Sequence, residues 1–286
     1  MRNIPKNFDS SSVAEIDRRL RDIANNDEVI IPLAIESGSR AWGFPSPDSD
    51  YDCRFVYVRS PEASFTLFPR RDVIETPLTP VIDVNGWELS KALKLMLVGN
   101  AVILEWLTSP ILYHSDEKFR LALLELADSI CDKNGVARHY FYLARNQFER
   151  SLGDGKEIGL KKIFYSLRPV MALRWMRLHP DRGVAPMHFP TLCQEADLSA
   201  DIWNNVADLM ARKALTREMG KGNVPAVILS FLVDELQIAD KWTSSTAKQE
   251  IDPAKRERVD RFWRQWVTAL YNDDTVVANP WNSSSG

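Results

Sequence analysis

Two apolar segments that flank a short polar loop constrain the fold of this chain more than any other sequence feature. The first is EVIIPLAIES, residues 28–37, and the second lies within residues 50–58, which end in FVYV. Short runs of isoleucine, valine and aromatic residues are typical of buried strands. We therefore predict two neighbouring strands, joined by a loop that begins at Gly38-Ser39 and ends at Asp50 and Asp52.

The two aspartates are separated by one residue in the predicted second strand. Asp50 and Asp52 should therefore project from the same face of that strand. Adjacent carboxylates repel each other, and burying either one costs several kcal/mol unless a partner compensates. Mg²⁺ fits best as the partner, because it prefers oxygen ligands and typically binds one or two carboxylates together with substrate phosphates. The alternative is a polar turn in which the aspartates only cap backbone groups.

A glycine-serine turn follows the first predicted strand and precedes a short predicted helix. Backbone N–H groups at such a turn can bind a phosphate, and glycine lets the phosphate approach the backbone. The turn at Gly38-Ser39 and the Asp-x-Asp pair are separated by residues 40–49. Together they predict a site for a metal-bound nucleoside triphosphate.

Further elements are predicted on both sides of this motif. SVAEIDRRLRDIA has the apolar spacing of an amphipathic helix, and Ser12 and Glu15 form a capping-box pattern at its start. Residues 59–80 contain several prolines and predict a loop or an irregular hairpin. PVIDV predicts a third short strand, followed by a turn at Asn85-Gly86.

From Glu88 onward the apolar residues follow a helical period. Predicted helices include ELSKALKLMLVGNAVILEWL, DEKFRLALLELADSI after a Ser115 cap, KKIFYSLRPVMALRWMRL and PAVILSFLVDELQIADKW. Strands grouped early and helices grouped late predict an α+β fold or two domains. The predicted units are a catalytic domain at residues 1–115, a helical domain at residues 116–275 and a disordered tail at residues 276–286.

Composition and charge exclude several classes of protein. A net charge of −3 argues against a protein that coats nucleic acid through a general basic field, although a local basic cleft is compatible with it. The three cysteines and four histidines lack the spacing of a disulfide framework or a zinc site. The N-terminus has no apolar signal core and no run is long enough to cross a membrane. These features predict a cytoplasmic protein without a membrane partner.

Three segments together resemble a known superfamily. SGSRAWGFPSPDSDYD, DVNGWELSKAL and KKIFYSLRP are similar to the nucleotidyltransferase superfamily of DNA polymerase β. Within this superfamily the chain resembles the compact, minimal nucleotidyltransferases. The residues of the three segments are most similar to their predicted RNA-ligase-associated branch. The first two segments lie within residues 28–110, and the similarity is weaker through residue 180, which includes the third segment. The resemblance implies a mixed sheet flanked by helices, followed by an all-helical C-terminal domain.

The resemblance also assigns roles to individual residues. It implies that Asp50 and Asp52 bind metal and that Gly38 and Ser39 contact the β- and γ-phosphates. The family uses a third carboxylate on a later strand, for which Asp83 in VIDVN is the first candidate. The alternative is that Asp83 has no catalytic role and only ends the strand before the turn. The second candidates are Glu75 and Glu88. The implied cofactors are two Mg²⁺ or Mn²⁺ ions, with a nucleoside triphosphate as substrate.

One face of the predicted helix KKIFYSLRPVMALRWMRL combines cations with an aromatic ring. Lys161, Tyr165 and Arg168 share this face, and Lys162 lies beside it. Such a face suits a nucleotide, with the cations on phosphate and the tyrosine on the base or sugar. An ordinary solvated face with Tyr165 packed at its edge is the open alternative. Pro169 predicts a kink or an interruption of the helix.

The roles of Arg40 and Trp42, which follow the glycine turn, are also predicted. Arg40 is within reach of the mouth of the predicted site and is a candidate nucleotide-binding residue. Trp42 is predicted to be a hydrophobic plug rather than a ligand contact.

The leading hypothesis is a metal-dependent nucleotidyltransferase that moves a nucleoside monophosphate onto a hydroxyl group. The RNA-ligase-associated resemblance implies an RNA end as the acceptor and an RNA ligase as a partner. Transfer onto a protein or a small molecule is one alternative. A non-catalytic nucleotide-binding or partner-binding module is the other, although the retained Asp-x-Asp pair and glycine turn argue against it.

Overall fold

A five-stranded sheet in the first part of the chain carries most of the predicted site residues. The computed structural model describes residues 1–152, 158–215, 221–222, 224–246 and 250–272. The elements of the first part are α1 (Ser10–Asn26), β1 (Val29–Glu36), α2 (Gly38–Trp42), β2 (Tyr51–Arg59), α3 (Pro61–Ser64), β3 (Val73–Glu75), β4 (Ile82–Glu88), α4 (Leu89–Leu97), α5 (Ala101–Leu107) and β5 (Leu112–Ser115).

Where the structure describes it, the second part is helical except for one pair of two-residue strands. Its elements are α6 (Glu117–Ile130), α7 (Lys133–Leu152), β6 (Ile158–Gly159), α8 (Leu160–Leu178), α9 (Phe189–Glu195), α10 (Ala200–Leu215), β7 (Lys221–Gly222), α11 (Ala226–Ser245) and α12 (Pro253–Asn272). Strands β6 and β7 pair with each other in antiparallel orientation.

The sheet is mixed, and its one parallel pair decides where the site lies. The strand order is β3-β4-β2-β1-β5. Strands β2 and β4 are parallel, whereas the other neighbouring pairs are antiparallel. Because parallel strands start at the same edge of a sheet, the beginnings of β2 and β4 lie side by side. Their register places Asp52 directly opposite Asp83.

Alternating side chains of β2 enter two separate cores. Phe55 and Tyr57 pack with Leu20 of α1 on one face of the sheet. Val56 and Val58 belong to a larger core formed with the helices. This two-residue period is that of a strand buried on both faces, which explains why the segment is almost entirely apolar.

Helix α8 lies in the middle of the helical region and does not stop at its proline. Leu167, Val170 and Trp175 are completely buried along it, and Pro169 lies inside the helix. An interruption of the helix at Pro169 is therefore wrong, whereas a kink there stays a prediction. Burial on neighbouring turns holds the helix together across a residue that cannot donate its backbone hydrogen bond.

The last helix returns to the sheet. The hydroxyl of Tyr271 in α12 donates to the backbone oxygen of Val58 in β2 at 3.0 Å, and the larger core continues from β1 to α12. The predicted division between residues 115 and 116 stays a prediction. The predicted tail at residues 276–286 lies outside the described residues.

Two predicted helix caps are wrong by a few residues. Helix α1 is capped by Asp9, whose carboxylate accepts from the backbone N–H of Ser12 at 2.8 Å. Glu15 instead pairs with Arg18 and an adjacent arginine. Helix α6 is capped by Asp116 rather than Ser115. In both cases the side chain of the aspartate just before the observed first residue of the helix satisfies the free N–H groups.

The predicted turn at Asn85-Gly86 is also wrong, since both residues lie within β4. Gly86 is opposite Phe55 in the parallel pair, and a Cβ there would lie 2.3 Å from the Phe55 ring. The glycine makes room for an aromatic ring rather than for a turn. The sequence also does not predict the short edge strands β3 and β5, and β2 begins at Tyr51 rather than at Asp50.

Candidate active site

Asp52 and Asp83 meet where β2 and β4 begin. They occupy paired positions in the parallel register, and their side chains are 21% and 27% exposed. The Nη2 group of Arg54 donates to Asp52 Oδ1 at 2.9 Å and to Asp83 Oδ2 at 2.7 Å. One guanidinium group therefore bridges the two carboxylates. The structure brings this predicted pair together at an accessible edge of the sheet.

Asp50 lies beside this pair but outside the strand. It is exposed and precedes β2. Burial raises the pKa of Asp52; Arg54 opposes this shift, and the negative charges of Asp50 and Asp83 add to it. Asp50 is therefore close enough to repel Asp52. The three carboxylates carry more negative charge than the single bridging cation neutralises.

The chemistry of these residues fits a hard divalent cation, although they are not preassembled as a metal site. Carboxylate oxygens are the ligands that Mg²⁺ and Mn²⁺ prefer. Within the part of the chain that the structure describes, no group of three or more Asp, Glu, His or Cys side chains is arranged to hold a metal ion. Arg54 supplies the positive charge between Asp52 and Asp83 instead. The metal-binding roles of Asp50, Asp52 and Asp83 stay predictions.

Position 38 requires glycine because the backbone there lies close to the Asp52 side chain. Its φ of +59° lies in the left-handed region, and a Cβ would lie 2.0 Å from Asp52 Oδ2. The neighbouring N–H of Ser37 donates to the backbone oxygen of Asp52 at 2.8 Å. The glycine turn is therefore fixed against the start of β2, as the Asp-x-Asp spacing suggested. Any larger residue at position 38 would displace the carboxylate or the turn.

Ser39 and Arg40 hold the loop that carries Asp50. The Ser39 hydroxyl donates to Ser49 Oγ at 2.8 Å. Arg40 donates to the backbone oxygens of Ser49 at 2.6 Å and Asp50 at 3.0 Å. Its guanidinium carbon lies 3.9 Å from the centre of the Tyr51 ring. Both side chains therefore have partners within the protein, and their nucleotide-binding roles stay predictions.

A buried glutamate beneath Asp52 was not among the predicted site residues. Glu36, the last residue of β1, is completely buried. It accepts from the Tyr113 hydroxyl at 2.6 Å and from the backbone N–H of Asp52 at 3.1 Å. Burial raises the pKa of Glu36 to about 8. The available signal was an acidic residue at the end of an otherwise apolar segment.

Tyr165 of α8 faces the carboxylates. Its side chain is 37% exposed, and its pKa is raised by burial and then by the charges of Asp50 and Asp52. It also meets the half-buried Trp42 edge to face, with ring centres 5.9 Å apart. Trp42 packs against the core, as predicted for a plug. Lys162 is exposed on the same helix, and its role stays a prediction.

Arg168 has a different environment from the one predicted. It is 2% exposed, donates to Glu105 Oε1 at 2.5 Å and to the Met187 backbone oxygen at 3.2 Å, and lies 4.9 Å from the Trp42 ring centre. Arg168 thus forms a buried ion pair with Glu105 and packs against the Trp42 ring. The predicted placement on an open nucleotide-binding face is wrong, because the turn of α8 that carries it is buried.

A family comparison decides what kind of protein carries this site. Residues 13–265 match the model of the RNA repair pathway DNA polymerase beta family, RlaP. The chain belongs to this family. Its mixed sheet flanked by helices, with a helical region after it, is the polymerase-β-like architecture that the resemblance implied. The predicted family and fold class are confirmed.

Individual relatives add little about the reaction. The chain is 37% identical over 218 residues to the uncharacterized protein YcgL of Bacillus subtilis (strain 168), covering 76% of this chain and 83% of that protein. A solved nucleotidyltransferase-like protein from Exiguobacterium sibiricum 255-15 is 10% identical and covers 91% of this chain and 90% of its own, with a TM-score of 0.29. A TM-score this low does not support a conclusion about the fold or the function of this chain.

Among the described residues, no helix is both long enough and apolar enough to cross a membrane.

Proposed function

We propose that this protein is a metal-dependent nucleotidyltransferase that moves a nucleoside monophosphate from a nucleoside triphosphate to a hydroxyl group of an RNA end. The observation that carries the proposal is the facing pair Asp52 and Asp83, with Gly38 against Asp52. Family membership supports a role in RNA repair. An RNA ligase is the partner we propose. The buried, free cysteines agree with a reducing cytoplasm as the location.

The carboxylates would hold the cations. Asp52 and Asp83, with Asp50 moving in from the loop, supply the oxygen ligands. When bound, the metal supplies positive charge against the triphosphate and the attacking oxygen. Arg54 already bridges two of these ligands. It keeps them close together despite their mutual repulsion, so less reorganisation is required when substrate arrives.

The remaining roles follow from position. Backbone N–H groups at the start of α2, beside Gly38 and Ser39, are placed to contact phosphate oxygens. Tyr165 is close enough to Asp50 and Asp52 for their charges to raise its pKa, and its ring can stack on the base or sugar. Asp83 can take the proton of the acceptor hydroxyl. The acceptor oxygen then bonds to the α-phosphorus as the bond to pyrophosphate breaks.

Transfer of label from an α-labelled nucleoside triphosphate to RNA tests this proposal. Asp52→Asn and Asp83→Asn should each lower the rate at least about a hundredfold, because each removes charge from the reacting centre. Asp234→Asn is the matched control, since Asp234 is an exposed aspartate of α11. Wild-type label on a protein or a small molecule would replace RNA as the acceptor. Nucleotide binding without transfer to any acceptor would contradict the enzymatic proposal.

A further inference from the structure

An apolar loop stands out from the surface at the end of the sheet opposite the carboxylates. We call residues 65–71, FTLFPRR, the apolar loop. Phe65, Leu67 and Phe68 are 85%, 85% and 82% exposed, and Arg70 and Arg71 follow directly. Adjacent exposed apolar side chains forgo the stabilisation that burial would supply, and such patches commonly mark interaction surfaces.

The apolar loop borders a groove with mixed lining. The groove has a volume of about 420 Å³, and Arg59, Arg70, Lys94 and Trp263 are among its lining residues. A second hollow of about 260 Å³ shares Lys94 and Trp263 with it and adds Arg256. The two hollows therefore adjoin each other between the apolar loop, α4 and α12, and we call them together the depression.

Positive charge in this depression is only partly balanced. Arg59 is 6% exposed, and its buried Nε has no hydrogen-bond partner. Its nearest carboxylate oxygen, Glu88 Oε2, is 3.8 Å away. Among the described residues, no acidic side chain lies within salt-bridge distance of Arg70, Lys94 or Arg256. These three cations therefore leave positive charge in the depression with which an anionic ligand can pair.

We propose that the apolar loop and the adjoining groove bind a single strand of the acceptor RNA, away from the site of transfer. Exposed phenylalanines offer faces on which bases stack, and the arginines and Lys94 offer charge for the phosphates. RNA is favoured over a lipid bilayer as the occupant because the chain belongs to an RNA repair family. This inference rests on the proposed function, since it concerns the acceptor of that reaction.

The fold connects this surface with the carboxylates. Asp52 lies near the start of β2 and Arg59 at its end, a separation of about 23 Å for an extended strand. A stacked single strand of roughly seven nucleotides spans that distance. RNA longer than this reaches both places, whereas a shorter RNA held at the carboxylates does not reach the apolar loop.

Fluorescence anisotropy tests the proposal, without nucleotide or metal. The probe is a labelled single-stranded RNA of more than roughly seven nucleotides, which we call the long RNA. The Phe65→Ala/Phe68→Ala double variant should weaken binding of the long RNA at least about fivefold for each phenylalanine removed. Arg70→Ala should weaken it and reduce the slope of log affinity against log salt by about 0.7. The matched controls are Leu121→Ala and Arg21→Ala, at exposed positions on other helices. Thermal unfolding verifies that the variants remain folded.

The outcomes separate this inference from the proposed function. Wild-type affinity for the long RNA in both loop variants, or no RNA binding by the wild-type protein, overturns the inference even if label transfer occurs. The inference is also overturned if the loop variants lose wild-type binding to anionic phosphatidylserine vesicles but keep their affinity for RNA. That result would assign the surface to a membrane. Weaker RNA binding by the loop variants supports the inference, even where the wild-type protein transfers no label.

Discussion

At the scale of single residues, the site combines an exposed charge cluster with a buried acid beneath it. Arg54 bridges Asp52 and Asp83, while Glu36 supports the backbone of Asp52 from below. Glu36 has no cationic partner within hydrogen-bonding distance among the described residues, and burial raises its pKa to about 8. The folded protein therefore holds this side chain protonated near neutral pH.

The raised pKa of Glu36 predicts how stability depends on pH in the metal-free protein. Below the ordinary value of 4.5, Glu36 is protonated in both the folded and unfolded states. Between 4.5 and about 8 it is ionised only when unfolded, so the contribution of Glu36 to the free energy of unfolding should fall as pH rises. Glu36→Gln should remove most of this slope in urea unfolding, because glutamine keeps the size and the acceptor oxygen without the ionisation.

Glu125→Gln is the control for that measurement, since Glu125 is exposed on α6. It should keep the wild-type slope. A slope in Glu36→Gln equal to that of the wild type would show that Glu36 ionises normally in the folded protein.

At the scale of elements, the contact between α2 and β2 depends on Gly38. Gly38→Ala should lower the free energy of unfolding by roughly 2–5 kcal/mol, because it adds left-handed backbone strain to a clash with Asp52. In an Asp52→Ala background only the strain remains, about 1–2 kcal/mol. Urea unfolding of the four proteins in this double-mutant cycle measures the difference. An equal cost in both backgrounds would mean that Gly38 and Asp52 do not touch.

Sequence reasoning predicts the central strands and their site better than the edges of the sheet. The apolar runs that form β1 and β2 have strong local patterns, and the Asp-x-Asp spacing and glycine turn identify the loop between them. Strand β3 has three residues, and its pairing with β4 is set by tertiary contacts. The role of Gly86 depends on Phe55 in a neighbouring strand. No local pattern contains that information.

The misplacement of Arg168 has a related cause. Helical spacing shows which residues share a face, but it does not show which turn of that face is covered. Tyr165 and Arg168 are one turn apart on α8; Tyr165 is exposed beside the carboxylates, whereas Arg168 pairs with Glu105 in the core. The packing of Trp42 and α5 decides between these environments, and that packing is non-local.

At the scale of the whole molecule, the helical region supports the sheet on the face opposite α1. Its last helix reaches β2 through Tyr271, and one core joins β1 to α12. The carboxylates lie at one end of β2 and the apolar loop follows the other end. The molecule therefore presents the proposed site of transfer and the proposed RNA surface at opposite ends of one strand.

The central claim is that Asp52 and Asp83 share a bound cation with the nucleotide phosphates. Isothermal titration calorimetry of a nucleoside triphosphate, with and without Mg²⁺, tests it most directly in wild type, Asp52→Asn and the Asp234→Asn control. We predict Mg²⁺-dependent binding in the wild type and the control, and its loss in Asp52→Asn, because a neutral amide is a far weaker ligand for a hard cation. Equal Mg²⁺-dependent binding in all three proteins would contradict the claim.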